Sequence, residues 1–116
     1  MLDDRLIHGT VDLLLLDLLA SGPSYGYEIA QAVKSRSEGY FDLKEGSLYP
    51  ALHRLERDKL LKSVWREADG RRRKYYELTP RGSEAREQNR QAWSTFAKAV
   101  GRVLGHAEPA RALVPG

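Results

Sequence analysis

The chain has no cysteine, which excludes a disulfide framework and any thiolate-ligated zinc or iron–sulfur centre, and fits a reducing compartment. Its three histidines, His8, His53 and His106, are isolated from one another. No His-x-x-x-His pair, Ser-His-Asp set, P-loop or glycine fingerprint is present, so the expectation is a protein that is not an enzyme and that uses no cofactor and no metal. Long apolar runs are also missing. The most apolar stretch, "VDLLLLDLLA" (Val11–Ala20), is broken by Asp12 and Asp17 and falls short of the roughly 20 residues that cross a bilayer. The start, "MLDDRLIHG", lacks the basic n-region of a secretory signal. The expected location is the cytoplasm, with no membrane association.

What remains is a folded chain of 116 residues, 41% hydrophobic and 30% charged, enough for one modest core. Net charge is only +3, but it is unevenly placed. Between Arg54 and Lys74 stand nine Lys or Arg against Glu56, Asp58, Glu67 and Asp69, a local net of +5 that leaves −2 for the rest. Such asymmetry points to a polyanionic partner for one face.

The elements follow from periodicity and punctuation. Val11–Ala20 predicts a helix with Thr10 as N-cap and "SGPS" as its stop. Its leucines occupy more than one face, which predicts burial on more than one side and a second copy of the chain as cover. A second helix is expected from about Tyr25 to Lys34, with Tyr25, Ile29 and Val33 inward. "YFDL" (Tyr40–Leu43) alternates as a very short strand would. In "EGSLYPALHRLERDKLL", Leu48, Leu52 and Leu55 share one face, while Gly46, Pro50, His53, Arg54 and Arg57 fall on the other. Pro50 suits only a first turn, so this third helix is expected to start near Ser47 as N-cap.

Leu61–Glu67 and Lys74–Leu78 alternate as strands, separated by "ADGRRR", whose Asp-Gly signals a hairpin. Thr79-Pro80 then opens a last helix to about Leu104. That helix is polar until Gln91 and afterwards carries a stripe of Trp93, Phe96, Ala97, Val100 and Leu104. Residues 105–116 have no period and are expected to be a flexible tail. The order of helices followed by a hairpin is a winged helix-turn-helix: a mainly α fold with a small β-hairpin and a long C-terminal helix. In this reading the cation run Arg71–Lys74 is the tip of the wing.

Three segments, "YGYEI" (Tyr25–Ile29), "GSLYPALHRLERDKLL" (Gly46–Leu61) and "DGRRRKYYELTPRG" (Asp69–Gly82), together resemble the PadR family of bacterial transcriptional regulators. The resemblance runs over residues 7 to 104 and is to the short subgroup with a single C-terminal helix. It departs at Lys59, where many relatives have a glycine. It implies a winged-helix DNA-binding domain over 1–78 and a dimerisation helix over 79–104 that packs with the first helix. It further implies a homodimeric repressor on double-stranded DNA with an inverted-repeat operator. On the matching positions, DNA contact is expected from Tyr25, Tyr27, Gly46, Ser47, Tyr49, Pro50, His53 and Arg54, and from Arg71, Arg72, Arg73 and Lys74 of the wing. Tyr25 fits the core equally well, and His53 and Arg54 fit a merely solvated face.

The dimer interface is expected from Val11, Leu15 and Leu18 of the first helix with Trp93, Phe96, Ala97, Val100 and Leu104 of the last. In the relatives a tryptophan at this place stacks aromatic drugs. Trp93 and Phe96, with Leu14 and Leu18, therefore form the expected site for a planar aromatic effector. The rival reading is a winged helix used as an interaction module for an acidic protein. Four consecutive cations favour DNA.

Overall fold

Leucines on more than one side of α1 (Asp4–Leu19) decide where the core lies. The computed structural model describes residues 4–105, with side chains from residue 9 onward. The expectations for His8, His106 and the tail after Gly105 fall outside the described residues. The chain forms two compact units, one through Arg86 and one from Glu87.

In the first unit Val11, Leu15, Leu16, Leu18 and Leu19 are buried together with Ile29, Val33, Leu48, Leu52, Leu55, Leu61 and Tyr76. This corrects the sequence expectation. Val11, Leu15 and Leu18, assigned to a dimer interface, are 3%, 0% and 7% exposed in the chain's own core. The cover comes from α2 (Gly26–Arg36), α3 (Glu45–Arg57) and the strand that returns from the wing. The helix also starts earlier than Val11, because the single interior Gly9 costs only about 1 kcal/mol relative to alanine and does not stop it. Thr10 is therefore inside α1 rather than its cap.

The two acids that interrupt the apolar run are structural ties. Asp12 Oδ1 accepts from Arg54 Nη2 of α3, and Asp17 Oδ1 accepts from Arg86 Nε at 2.8 Å. The early turns of the last helix thereby belong to the first unit.

A short strand exists, but not at Tyr40–Leu43. The sheet takes β1 (Ser24–Tyr25), which pairs antiparallel with Tyr76 and Tyr75. Tyr40–Leu43 is irregular. Phe41 and Leu43 do pack against the core as the alternation implies, but the segment joins no strand of the sheet.

The α3 helix begins one turn before Ser47. Its N-cap is Lys44, whose carbonyl accepts from the amides of Ser47 at 2.9 Å and Leu48 at 2.8 Å. Pro50 is thus the sixth helical residue and cannot donate to the carbonyl of Gly46. Gly46 is exposed, with open space where a side chain would stand, so water can reach that carbonyl. The helix ends in a Schellman motif: Leu60 N–H donates to Leu55 O at 2.9 Å and Lys59 N–H to Glu56 O at 3.0 Å. Lys59 accordingly has φ +68°, the left-handed value that glycine adopts freely.

The wing consists of β2 (Leu61–Ala68) and β3 (Arg71–Leu78), in the order β1-β3-β2. Asp69 and Gly70 form the turn alone, with φ +55° and +75°, both positive as a type I′ hairpin needs. Pairing resumes at Arg71, opposite Ala68. The cation run is therefore the first half of a strand rather than the tip.

Thr79 caps α4 (Pro80–Leu104): its hydroxyl accepts from Gly82 N–H at 2.9 Å and donates to Lys59 O at 2.7 Å. Gly82 is buried, and a Cβ there would collide with the carbonyl of Leu60. In the second unit the stripe is uncovered: Trp93 is 47% and Phe96 52% exposed, with ring centroids 5.8 Å apart.

Two outcomes follow from these ends and ties. Lys59→Gly relieves roughly 1–2 kcal/mol of left-handed strain and loses about 0.5–1 kcal/mol to the freer unfolded chain. A net gain of about 0.5–1 kcal/mol is expected, a Tm rise of about 2–8 °C by calorimetry; an unchanged or lower Tm refutes it. For Asp12 and Arg54, with side chains 28% and 36% exposed, a double-mutant cycle with Asp12→Ala and Arg54→Met should give a coupling of about 1 kcal/mol. Strict additivity would mean that the pair does not tie α3 to α1.

Candidate nucleic-acid interface

The exposed side of α3 follows from its buried one. With Leu48, Ala51, Leu52 and Leu55 in the core, Gly46, Ser47, Pro50, His53 and Arg57 face outward and are exposed. Two expected contact residues are committed elsewhere. Arg54 is drawn to Asp12, as described above. Tyr49 is half-buried, its hydroxyl packed where Gly26 has no side chain, so that a Cβ at Gly26 would collide with it. Tyr49 thus fixes the spacing of α2 and α3 as well as edging the surface.

At the start of α2, Tyr27 is 64% exposed. Tyr25 is half-buried at the N-cap, where its backbone N–H donates to Glu28 Oε1 at 3.3 Å. Its ring meets Tyr75 edge-on at 5.4 Å. Tyr25 is thus part of the sheet's edge strand and packs on Tyr75.

The wing hairpin divides its residues by alternation, since facing residues share a side. Ser63, Trp65, Arg72, Lys74 and Tyr76 lie on the side toward α3. Glu56 of α3 joins the two elements, accepting from Ser63 Oγ at 2.6 Å and pairing with Lys74 Nζ at 3.6 Å. Tyr76 is buried beneath them. Burial pushes its hydroxyl above the ordinary tyrosine value, against the pull of Lys74 and with some help from Glu56. Arg72 lies over the Trp65 indole at 5.1 Å, and that indole is 58% exposed. Trp65, Arg72, Arg73, Lys74 and Tyr76 of the wing, with Tyr49 and His53 of α3 and Tyr25, line a groove of about 340 Å³ between wing and α3.

Arg71 is exposed beside the turn, and Arg73 lies over the Tyr25 ring at 4.3 Å. The structure thus gathers Tyr25, Tyr49, His53, Arg72, Arg73 and Lys74 around one groove, with Ser47 and Pro50 exposed farther along α3 and Arg71 beside the turn. Trp65 and Arg66 were not among the expected contacts. Their signal was the strand register, which the Asp-Gly turn contains once it is counted as a two-residue loop.

The expected effector residues are dispersed. Leu14 is half-buried and Leu18 buried, both beside a small cavity of about 170 Å³ shared with Val33, Arg36 and Phe41. Trp93 and Phe96 lie on the second unit. Among the described helices none is long and apolar enough to cross a membrane.

Comparison with known proteins agrees with this geometry. Residues 15–88 match the family model PadR, the transcriptional regulator PadR-like family. A transcriptional regulator of Clostridium thermocellum has a similar solved structure, with a TM-score of 0.78, 36% identity, and coverage of 84% of this chain and 96% of that one. A PadR family transcription regulator from Clostridium difficile gives a TM-score of 0.71 at 38% identity, covering 81% of this chain and 97% of that one. A transcriptional regulator of Mycobacterium tuberculosis is 45% identical over 60 residues, which are 52% of this chain and 56% of the relative. The winged helix, the family match and these relatives together place the chain in the PadR-like family of transcriptional regulators.

Proposed function

We propose that this regulator is a homodimeric repressor that lays α3 in the major groove of an inverted-repeat operator and its wing along the adjoining backbone. The observation that carries this reading is the groove between them. One wall is Tyr49 and His53 of α3, the helix on which Ser47 and Pro50 are also exposed, and the other is Arg72, Arg73 and Lys74 held on rings. A helix N-terminus with a glycine and small polar groups suits base edges, while guanidinium and ammonium groups suit phosphates. Tyr27 adds an exposed hydroxyl at the start of α2, where backbone amides favour an anion. Arg54, tied to Asp12, supports the pose of α3 rather than reaching outward. Occupancy of a promoter by such a dimer would exclude polymerase.

The proposed dimer rests on the second unit. Trp93, Phe96, Val100 and Leu104 form an exposed apolar stripe with half-buried Ala97, and a second copy of the same helix is the simplest cover. A twofold then sets two recognition helices about one helical turn of DNA apart. A planar aromatic effector stacking on Trp93 would gain roughly 25 cal/mol per Å² of apolar burial and about 0.5–1.5 kcal/mol per ring pair. It would release DNA only by favouring a dimer spacing that the operator does not fit.

The wing is tested by salt. Replacing Arg71, Arg72 and Arg73 together by alanine should weaken binding to all sequences alike and flatten the slope of log affinity against log salt by about 0.9 per lost phosphate contact. An unchanged slope sinks the DNA assignment of the wing. For the effector, planar aromatic compounds should quench Trp93 fluorescence in a Trp65→Phe background, and Trp93→Ala should abolish binding while leaving a dimer that holds DNA. Monomers or aggregates from Trp93→Ala would make the residue an interface anchor instead.

A further inference from the structure

The groove between the wing and α3 holds more aromatic surface than a double helix can use. Rings of Tyr25, Tyr49, Trp65 and Tyr76 line it. Tyr76 is buried and serves the core, but the Trp65 indole on the same side of the hairpin stays 58% exposed. Folding gains little from an indole left in water. Charge in the groove is equally one-sided. Arg72, Arg73 and Lys74 line it, and among the described residues no carboxylate does. Glu67, directly across from Arg72 on the hairpin, is not part of the lining.

Of the three cations, Lys74 pairs with Glu56 at 3.6 Å. The two arginines are held by rings instead, Arg72 over Trp65 at 5.1 Å and Arg73 over Tyr25 at 4.3 Å. Stacking orients a guanidinium without neutralising it. Arg73 Nε is buried and lacks an acceptor, an unmet donor at the edge of the groove. Gly26, the first residue of α2, brings the positive end of a helix to the same place. A duplex meets half of these demands. Its phosphates suit the cations, but its bases stay stacked on one another and cannot lie against a side chain. A free nucleotide carries a base and phosphates together. Bases stack on aromatic rings and on guanidinium planes with little regard to base identity. The volume, about 340 Å³, is at the lower end of the range for small-ligand sites.

We propose that this groove, when no DNA occupies it, is a binding site for a free nucleoside polyphosphate, and that the nucleotide competes directly with the operator. The base lies on the platform made by Trp65 and Arg72, and the phosphates take Arg73, Lys74 and the start of α2. Lys74 can exchange Glu56 for a phosphate at little cost, since both side chains are 33% exposed. Such a ligand differs from an effector on Trp93. It excludes DNA by filling the place DNA would take, with no change in the spacing of a dimer. The binding stands on the groove alone, whereas the competition rests on the DNA-binding reading above.

Titration calorimetry of the full chain with guanosine and adenosine triphosphates tests the site. Guanosine, which has no phosphate, and inorganic tripolyphosphate, which has no base, are the paired controls. Both triphosphates should bind at one per chain, and each control at least about tenfold more weakly. Trp65→Leu should weaken the triphosphates by about tenfold through loss of a base stack, and Arg73→Gln by a similar factor. On a duplex selected for binding, a triphosphate at ten times its Kd should raise the apparent Kd for DNA about 11-fold, and further additions should raise it without a plateau. In Trp65→Leu protein the same concentration should leave the variant's own affinity for DNA almost unchanged.

Tripolyphosphate binding as well as the triphosphates would reduce the effect to attraction between charges and overturn the site. So would triphosphate binding that survives both Trp65→Leu and Arg73→Gln, or a single-stranded oligonucleotide that binds where free triphosphates do not. A plateau in the apparent Kd for DNA would place the ligand outside the groove and overturn direct competition. If the chain binds duplex DNA and ignores nucleotides, this inference fails and the DNA reading stands. If it binds triphosphates through Trp65 and Arg73 but no duplex, the site stands and the DNA reading fails.

Discussion

A two-residue turn leaves a hairpin no freedom of register. Once Asp69 and Gly70 take both positive-φ positions, Ala68 must face Arg71 and every later pair is set. Because side chains alternate, one residue of slip would exchange the faces, lifting Tyr76 out of the core and sending Lys74 away from Glu56. Burial of a single tyrosine therefore determines on which face of the hairpin each cation starts. The distribution of charge over the wing is a consequence of core packing.

The same logic joins the wing to the rest of the domain. Lys59 in its left-handed conformation turns the chain out of α3, and Thr79 returns to bond the carbonyls of Lys59 and Leu60. Gly82 lets the last helix press against that carbonyl. The hairpin is thus pinched at its base while its tip is free, so the positions of Arg71 and Arg72 relative to α3 are fixed by a few backbone contacts near residue 60. Glu56 reinforces this by bonding Ser63 and Lys74 at once. A carboxylate inside a cationic site reduces affinity for an anion, but here it sets the distance between helix and wing.

Much of this was legible locally. Thr79-Pro80, Asp69-Gly70 and the Leu48, Leu52, Leu55 spacing each name their structure within a few residues, and the helix, hairpin and long helix follow. What was not legible depends on partners distant in sequence. Arg54 reads as an outward cation until Asp12, 42 residues away, is seen to hold it. The strand at Ser24–Tyr25 is too short to show a period and exists only because β3 offers an edge. Tyr40–Leu43 has the period but pairs with no strand. Leucines around more than one side of α1 implied cover on several sides, yet could not say that α2, α3 and β3 supply it.

That last point changes where an interface between copies can be sought. With Val11, Leu15 and Leu18 already in the core, α1 from Gly9 onward has no exposed large apolar side chain, whereas Trp93, Phe96, Val100 and Leu104 form an exposed stripe. Such a stripe on a single helix is sensitive to rotation about its axis. At about 100° per residue, a small turn of one helix against another exchanges Trp93 for a neighbour at the contact, without altering any bond inside the first unit. An association built this way keeps the DNA-reading unit rigid and confines variability to the spacing between two such units. Were two such units to read paired half-sites, as proposed, operator fit would be most sensitive to that spacing, because the half-sites of a rigid duplex cannot adjust to it.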